Sequence, residues 1–254
     1  MIRIAVAGSC GRMGTAVVNA VKDADDICFV CGIDPHDKKI DYPLYRCVND
    51  AFENETFDVM VDFTQPDVVE KNIKAALSKG VNCVVGTTGL SQQTLEEAAS
   101  MAVSDACLFY APNFTTGAVL MMEFAKIAAQ YFPEAEVIEY HHAKKKDAPS
   151  GTAMRTAQIV ADARNFTSIA PGSETEIDGA KGARGALVDG VPVHSVRSMG
   201  YVASQDVIFG SMGQTLTISH NSWDRDSYMP GVLLGIRNVV HKQGLIVGLE
   251  NFMH

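Results

Sequence analysis

The chain has 254 residues and carries 21 Lys and Arg against 30 Asp and Glu, a net charge of −9. That length fits one large domain or two small ones, and a composition 47% hydrophobic and 20% charged excludes extensive disorder. The acidic balance argues against a general nucleic-acid binder, which needs a basic face. No apolar run approaches the about 18–20 residues that cross a bilayer, so neither nucleic acid nor membrane is an expected partner.

In chain order, apolar runs at 2–7, 27–33, 57–63, 81–86 and 106–111 read as strands. They are rich in Val, Ile, Cys and Phe without polar alternation, as expected of a sheet covered on both faces. Helical patterns lie between them at 11–22, 65–78 and 91–102, with Val17, Val18 and Val21 on one face of the first. This alternation predicts an α/β fold built on a Rossmann-like, doubly wound parallel sheet. A longer apolar helix is expected over 117–131, then a strand over 134–140 and a helix over 152–164. The glycine-rich stretch 172–200 reads as a long loop or hairpin region, and β patterns recur at 193–198, 206–209 and 214–219. The expected organisation is a first domain over 1–115 and a second, α+β domain over 116–225. A last helix, at about 229–241, is expected to return to the first domain, which residues 226–254 complete.

Six scattered cysteines do not make a disulfide framework. Cys28 and Cys31 form a C-x-x-C, but inside the run 27–33 they read as buried strand residues, and no second pair stands at zinc spacing. No metal site is expected. The N-terminus enters a strand pattern at once, without a signal peptide's apolar core, and a cytoplasmic protein is expected.

Gly8-Ser-Cys-Gly11-Arg-Met-Gly14 follows the first strand and opens the first helix. Glycine allows the tight turn and the close approach of a pyrophosphate, and the helix N-terminus supplies free N–H groups. The spacing is G-x-x-G-x-x-G, and a glycine turn occurs in many α/β proteins. The context points to a dinucleotide: a strand before, a helix after, and Asp34 at the second strand's end, 20 residues past Gly14. A carboxylate there binds the ribose hydroxyls and repels the extra phosphate of NADP. Pro35 follows rather than arginine, so NADH is favoured over NADPH, although His36, Lys38 and Lys39 just beyond are groups that could accept the phosphate. Phe63-Thr64 and Gly86-Thr87-Thr88-Gly89 follow later strand ends, where ligands of open α/β sheets bind.

The densest chemistry is Glu139-Tyr-His141-His142-Ala-Lys144-Lys145-Lys146-Asp147-Ala-Pro149-Ser150-Gly151-Thr152-Ala153. Two histidines and three lysines fall within six residues. Ser150 or Thr152 can cap the helix that follows, and cations beside a helix N-terminus make an anion site suited to a carboxylate. Histidine exchanges protons near neutral pH. Consecutive lysines cannot all point one way, so one of the three is expected to face the site.

This run resembles the E-x-H-H-x-x-K-x-D-A-P-S-G-T-A signature of the 4-hydroxy-tetrahydrodipicolinate reductase (dihydrodipicolinate reductase) family, which serves the diaminopimelate route to lysine. The resemblance spans nearly the whole chain, through VAGSCGRMG, DFTQP, GTTG, APNFTTG and MPGVLLGIR. It implies NADH- or NADPH-dependent reduction of a ring dicarboxylate, with hydride added at C4 and a proton at C3. It implies His141 and Lys145 as catalytic, and His142, Lys145, Ser150, Gly151 and Thr152 as holding the substrate carboxylates. Cofactor contacts carry over to Gly8, Gly11, Arg12, Met13, Gly14, Asp34, Phe63, Thr64, Gly86, Thr87 and Thr88. Ala111, Pro112, Asn113 and Phe114 join them, with Arg225 and Tyr228 closing over the cofactor. A homotetramer built through the sheets of the second, substrate-binding domain is implied as well. Ala143 and Lys144 fall at positions where members vary.

Two other readings compete. A nucleotide-binding regulator that lost catalysis predicts a broken His-His…Lys signature, and here it is whole. Another dehydrogenase of similar architecture, acting on an amino acid or semialdehyde, would keep the glycine loop without needing this anion-binding segment. An aldehyde-oxidising one would also need a reactive cysteine, and Cys83 and Cys107 lie in apolar strand patterns.

Overall fold

A computed structural model describes residues 1–36, 39–165 and 182–253. The chain divides into two compact units, Met1–Thr116 with Arg225–His254, and Gly117–Asp224.

Among the described residues of the first unit, seven strands form one sheet in the order β12-β6-β5-β4-β1-β2-β3. These are β1 (Ile2–Ala7), β2 (Ile27–Ile33), β3 (Leu44–Tyr45), β4 (Val59–Asp62), β5 (Asn82–Val85), β6 (Cys107–Tyr110) and β12 (Gly244–Val247). Every pairing is parallel. The helices are α1 (Arg12–Lys22), α2 (Val48–Asn54), α3 (Pro66–Leu77), α4 (Gln92–Ala99) and α7 (Met229–Val239). Strand residues on one face, including Ala7, Met60, Cys83, Val85 and Leu108, pack with Val69, Ile73 and Leu77 of α3 and Leu95 of α4. On α7, Gly235 lies against the ring of Phe109, close enough that a Cβ would stand 2.7 Å from its Cε1. Burial on both faces explains the apolar, non-alternating strands. β1 pairs with β2 on one side and β4 on the other, so the strand order reverses there. Ligands of such sheets bind outside the strand C-termini at this reversal.

Among its described residues the second unit holds a five-stranded sheet in the order β11-β10-β7-β9-β8, built from β7 (Glu134–His141), β8 (Ala186–Val188), β9 (Val191–Arg197), β10 (Ala203–Ser211) and β11 (Gln214–Ser222). Central β7 runs parallel to β9 and antiparallel to β10. Helices α5 (Thr116–Ala128) and α6 (Gly151–Ala163) cover one face, where Met121, Ala125, Ala157 and Val160 meet Val137, Val193, Val207 and Phe209. β8 turns into β9 through Asp189-Gly190, with φ of +47° and +80°. Asp-Gly favours such a two-residue turn because both positions need positive φ.

The structure keeps each predicted strand and helix of 2–164 and sharpens its ends: the pattern 57–63 condenses to Val59–Asp62, and 91–102 to Gln92–Ala99. Phe57 lies outside its strand because its ring stacks on Phe52 of α2, with centroids 4.9 Å apart. Three elements carry too little periodic signal to be predicted, namely β3, α2 and β12. Within 172–200, residues 172–181 lie outside the described residues, and the remainder is the β8–β9 hairpin with its flanking turns.

Candidate active site

The first unit places a glycine turn at the strand reversal. Gly8 leaves β1 with φ +77°, and a Cβ there would stand 2.5 Å from the Phe63 carbonyl oxygen. A Cβ on Gly14 would stand 2.1 Å from the Gly8 oxygen, so both positions require glycine. Gly11 is the N-cap of α1 and provides no side-chain cap, which leaves the first helical N–H groups free for an anion. Behind this turn, Asp34 is buried at 6% exposure. Its Oδ2 accepts from Cys10 N at 3.1 Å and its Oδ1 from His36 N at 3.0 Å, with His36 Nδ1 at 2.9 Å from that same Oδ1. Asp34 thus ties the glycine turn to the end of β2.

A cleft of about 430 Å³ opens over this region, lined by Gly11, Arg12, Met13, Phe63, Thr64, Gln65, Pro66, Gly86, Thr87, Thr88 and Arg225. Its floor is organised by Asp62, fully buried at the end of β4. Asp62 Oδ1 accepts from Thr64 N at 3.0 Å, Thr64 Oγ1 at 2.7 Å and Thr87 Oγ1 at 2.8 Å, while Oδ2 accepts from Asn72 Nδ2 at 2.9 Å. One carboxylate therefore fixes the loops after β4 and β5. Gly86 is packed so closely on Phe63 that a Cβ would stand 2.1 Å from the ring, and that ring lies 5.7 Å from Phe114. Ala111 and Phe114 are buried, and Asn113 Oδ1 accepts from Thr115 N at 2.8 Å. Glycines facing a cleft at a helix N-terminus, with a carboxylate one strand away, fit a dinucleotide. Tyr228, Asp34, Gly8, Gly14 and residues 111–114 do not line the cleft itself.

In the second unit the signature run spans the end of β7, a loop and the start of α6. Glu139 sits on the helix-covered face at 0% exposure. Its carboxylate takes a two-pronged pair from Arg197 of β9, Nη1 to Oε2 and Nη2 to Oε1, both 2.8 Å. Oε2 also meets His141 Nδ1, and Oε1 accepts from Ser150 N at 3.2 Å. Arg197 Nη2 donates onward to the Asp147 carbonyl at 2.7 Å, and Asp147 Oδ1 holds Lys145 Nζ at 2.8 Å. Ser150 caps α6, its side chain accepting from Ala153 N at 3.2 Å, and open space lies where a Cβ on Gly151 would project. His141, Lys145 and Ser150 are thus joined through one buried ion pair. Within the lysine triplet Lys145 is half-buried, whereas Lys144 and Lys146 are exposed, as is His142.

The charges follow from this packing. Burial pushes the Glu139 carboxyl up, but hydrogen bonds from Arg197, Ser195 and His141 outweigh it and hold it below the usual carboxylate range. Burial lowers the His141 pKa; Glu139 opposes that shift, and the Lys145 and Arg197 charges add to it. Asp147 is held low chiefly by its hydrogen bond from Lys145. Burial raises the thiol pKa of Cys31 to about 12 and of Cys107 to about 11.

Sequence reading assigned no role to Asp62, Glu139 or Arg197. Asp62 and Glu139 lie inside quoted motifs and had a signal, a carboxylate within an apolar strand. Arg197 had none, since its partner stands 58 residues away. Among the described residues, no group of three or more His, Cys, Asp and Glu is placed to hold a metal, and no helix is long and apolar enough to cross a membrane.

Comparison with known proteins places this geometry. Residues 2–114 match the family described as Dihydrodipicolinate reductase, N-terminus, and residues 117–253 match its C-terminus. The 4-hydroxy-tetrahydrodipicolinate reductase of Mycolicibacterium smegmatis is 48% identical over 251 residues, covering 98% of each chain. That of Dictyoglomus turgidum is 42% identical over 266 residues, covering 100% of this chain and 98% of its own. A dipicolinate-bound dihydrodipicolinate reductase from Paenisporosarcina sp. TG-14 superposes with a TM-score of 0.89 at 39% identity, covering 99% of both chains. The chain belongs to the dihydrodipicolinate reductase family.

Proposed function

We propose that the protein is a cytoplasmic NAD(P)H-dependent reductase that converts 4-hydroxy-tetrahydrodipicolinate, by way of dihydrodipicolinate, to tetrahydrodipicolinate. The observation that carries this reading is the single buried cluster in which Glu139 and Arg197 tie His141, Lys145 and Ser150 together within an unbroken family signature.

Free amides at the start of α1 suit the pyrophosphate, Asp34 suits the adenosine ribose, and the Phe63-Thr64, Gly86–Thr88 and Ala111–Phe114 segments suit the nicotinamide half. Arg225, at the cleft, and Tyr228, at the start of α7, are the closing residues of this reading. When bound, the nicotinamide supplies a hydride to C4 of the substrate ring. His141 delivers the proton that C3 then needs, and the Lys145 ammonium offsets charge developing on the ring nitrogen. Ser150, Gly151 and Thr152, at the N-terminus of α6, take a substrate carboxylate with His142 and Lys145 beside them. Burial lowers the His141 pKa against the opposing pull of Glu139, so a proton on its ring is readily given up.

NADH is the favoured donor, because a carboxylate at the end of the second strand, here Asp34, disfavours the extra phosphate of NADPH. A homotetramer is the proposed assembly. The long edge strand β11, whose residues are largely exposed, suits burial against another copy, since unpaired edges invite association. Light scattering then reads about four times the 27.3 kDa chain mass.

The test is a coupled assay with pyruvate, aspartate semialdehyde and the upstream synthase, following NADH and NADPH oxidation in parallel. Synthase-dependent oxidation, faster with NADH, is the expected result. A folded protein that binds NADH yet oxidises neither cofactor overturns the reading.

A further inference from the structure

We propose that Glu139 and Arg197 are a positioning pair that fixes which nitrogen of His141 bears its resting proton and sets the shape of the loop carrying Lys145 and Ser150. This rests on the proposed reductase reading and goes beyond it, because neither residue is asked to touch the substrate.

The argument starts from cost. A carboxylate at 0% exposure on the helix-packed face of a sheet is expensive unless its lone pairs are filled. Glu139 fills them with two Arg197 nitrogens, the Ser195 side chain, the Ser150 amide and the His141 ring. A structural ion pair alone would need only the first two. Two of the other contacts reach a proposed proton donor and the cap of the helix proposed to bind carboxylate. Arg197 is placed by strand register: Glu139 lies opposite Ser195 and His141 opposite Arg197, so the guanidinium reaches back along the strand pair. It then continues to the Asp147 carbonyl, beyond which Asp147 holds Lys145.

Because Nδ1 of His141 faces an ionised carboxylate, the neutral ring keeps its proton on Nδ1, and Nε2 is the nitrogen left to exchange one. The groups facing the ring are Glu139 from its own strand, Arg197 from β9 and Lys145 from the loop; across on β10 the partner is Ala203. Glu139 favours the imidazolium and Arg197 disfavours it. The two charges are opposed controls on one histidine.

The experiment uses the full chain labelled with ¹⁵N-histidine, and Glu139→Gln, Arg197→Gln and Arg197→Lys variants. NMR follows the His141 ring, NADH fluorescence checks the first unit, and the coupled assay reads turnover. Wild type is expected to show the Nδ1–H tautomer. Glu139→Gln moves the His141 titration to lower pH and Arg197→Gln moves it to higher pH, while Arg197→Lys restores the wild-type midpoint. kcat falls about 100-fold in Glu139→Gln, near the lower end of what general acid catalysis contributes, with NADH affinity unchanged. Should Glu139→Gln fail to fold, the Arg197→Gln and Arg197→Lys pair carries the same test. Folded variants whose His141 titrates and tautomerises as in wild type overturn the proposal. Absence of turnover in wild type overturns the reductase reading instead, and the NMR result still judges the pair.

Discussion

Asp62 Oδ1 accepts the Thr87 hydroxyl at 2.8 Å, a contact that joins the loop after β5 to the end of β4. Thr64 and Asn72 converge on the same carboxylate, so replacing it leaves several donors without their acceptor. Asp62→Ala is expected to cost about 1–3 kcal/mol of stability and to weaken NADH binding about tenfold, since 1.4 kcal/mol is a factor of ten. Urea unfolding and fluorescence titration measure the two effects. An unchanged NADH affinity would show that these loops do not hold the cofactor.

The glycine turn is expected to tolerate substitution unevenly. Gly14→Ala places a Cβ 2.1 Å from the Gly8 oxygen, against backbone that cannot yield, whereas Gly11→Ala places one at 3.2 Å. NADH affinity should be lost in the first variant and only reduced in the second, as read by isothermal calorimetry.

Cofactor choice is expected to turn on Asp34. In Asp34→Ala the carboxylate that would repel a 2′-phosphate is gone. The NADPH-to-NADH ratio of kcat/KM should rise about tenfold or more, in line with removal of a like-charge contact of a few kcal/mol. A ratio that stays level would place the ribose elsewhere.

Stability should fall with acid in two stages. Burial holds the His141 and His220 pKa values below their ordinary 6.5, so the folded state binds fewer protons than the unfolded chain. Stability from these groups is present above about pH 6.5 and is lost as pH falls from there through the folded values. Glu139 and Asp147 are also depressed, from 4.5 and 3.8, so their contribution survives to lower pH and is lost in a second, more acidic window. Urea midpoints from pH 8 to pH 3 trace this, and Glu139→Gln should remove part of the second stage.

Thiol chemistry offers a separate check. Cys31, Cys83 and Cys107 are buried with raised pKa values, and Cys47 is exposed. A thiol reagent at pH 7.5 should react first at Cys47, and Cys47→Ser should abolish that fast phase. Fast reaction at Cys31 would argue for a redox role of the C-x-x-C.

What could be read from sequence was what local periodicity writes down. The buried strands β1 and β2 are continuous apolar runs whose ends are marked by Gly8 and Asp34, and they were legible to the residue. β3 has only two residues, too short for a pattern to stand out, and both β3 and β12 are held by a parallel neighbour. Likewise His141, Lys145 and Ser150 were readable as a cluster because they lie within one run. The Arg197 fork was not, because only the register between β7 and β9 brings it to Glu139.

The first unit is interrupted in the chain: after Thr116 the polypeptide builds the second unit and returns only at Arg225. The returning segment is structural. β12 completes the sheet against β6, and the Phe252 ring lies 4.4 Å from that of Phe109. During synthesis, then, the first unit is started before the second and finished after it. Its early half waits with the β6 edge and Phe109 uncovered until the segment beginning at Arg225 leaves the ribosome, a vulnerable interval for aggregation or chaperone capture. A gene divided between the two family halves, near residue 115, would make that interval permanent, and its two products could recover the fold only by finding each other.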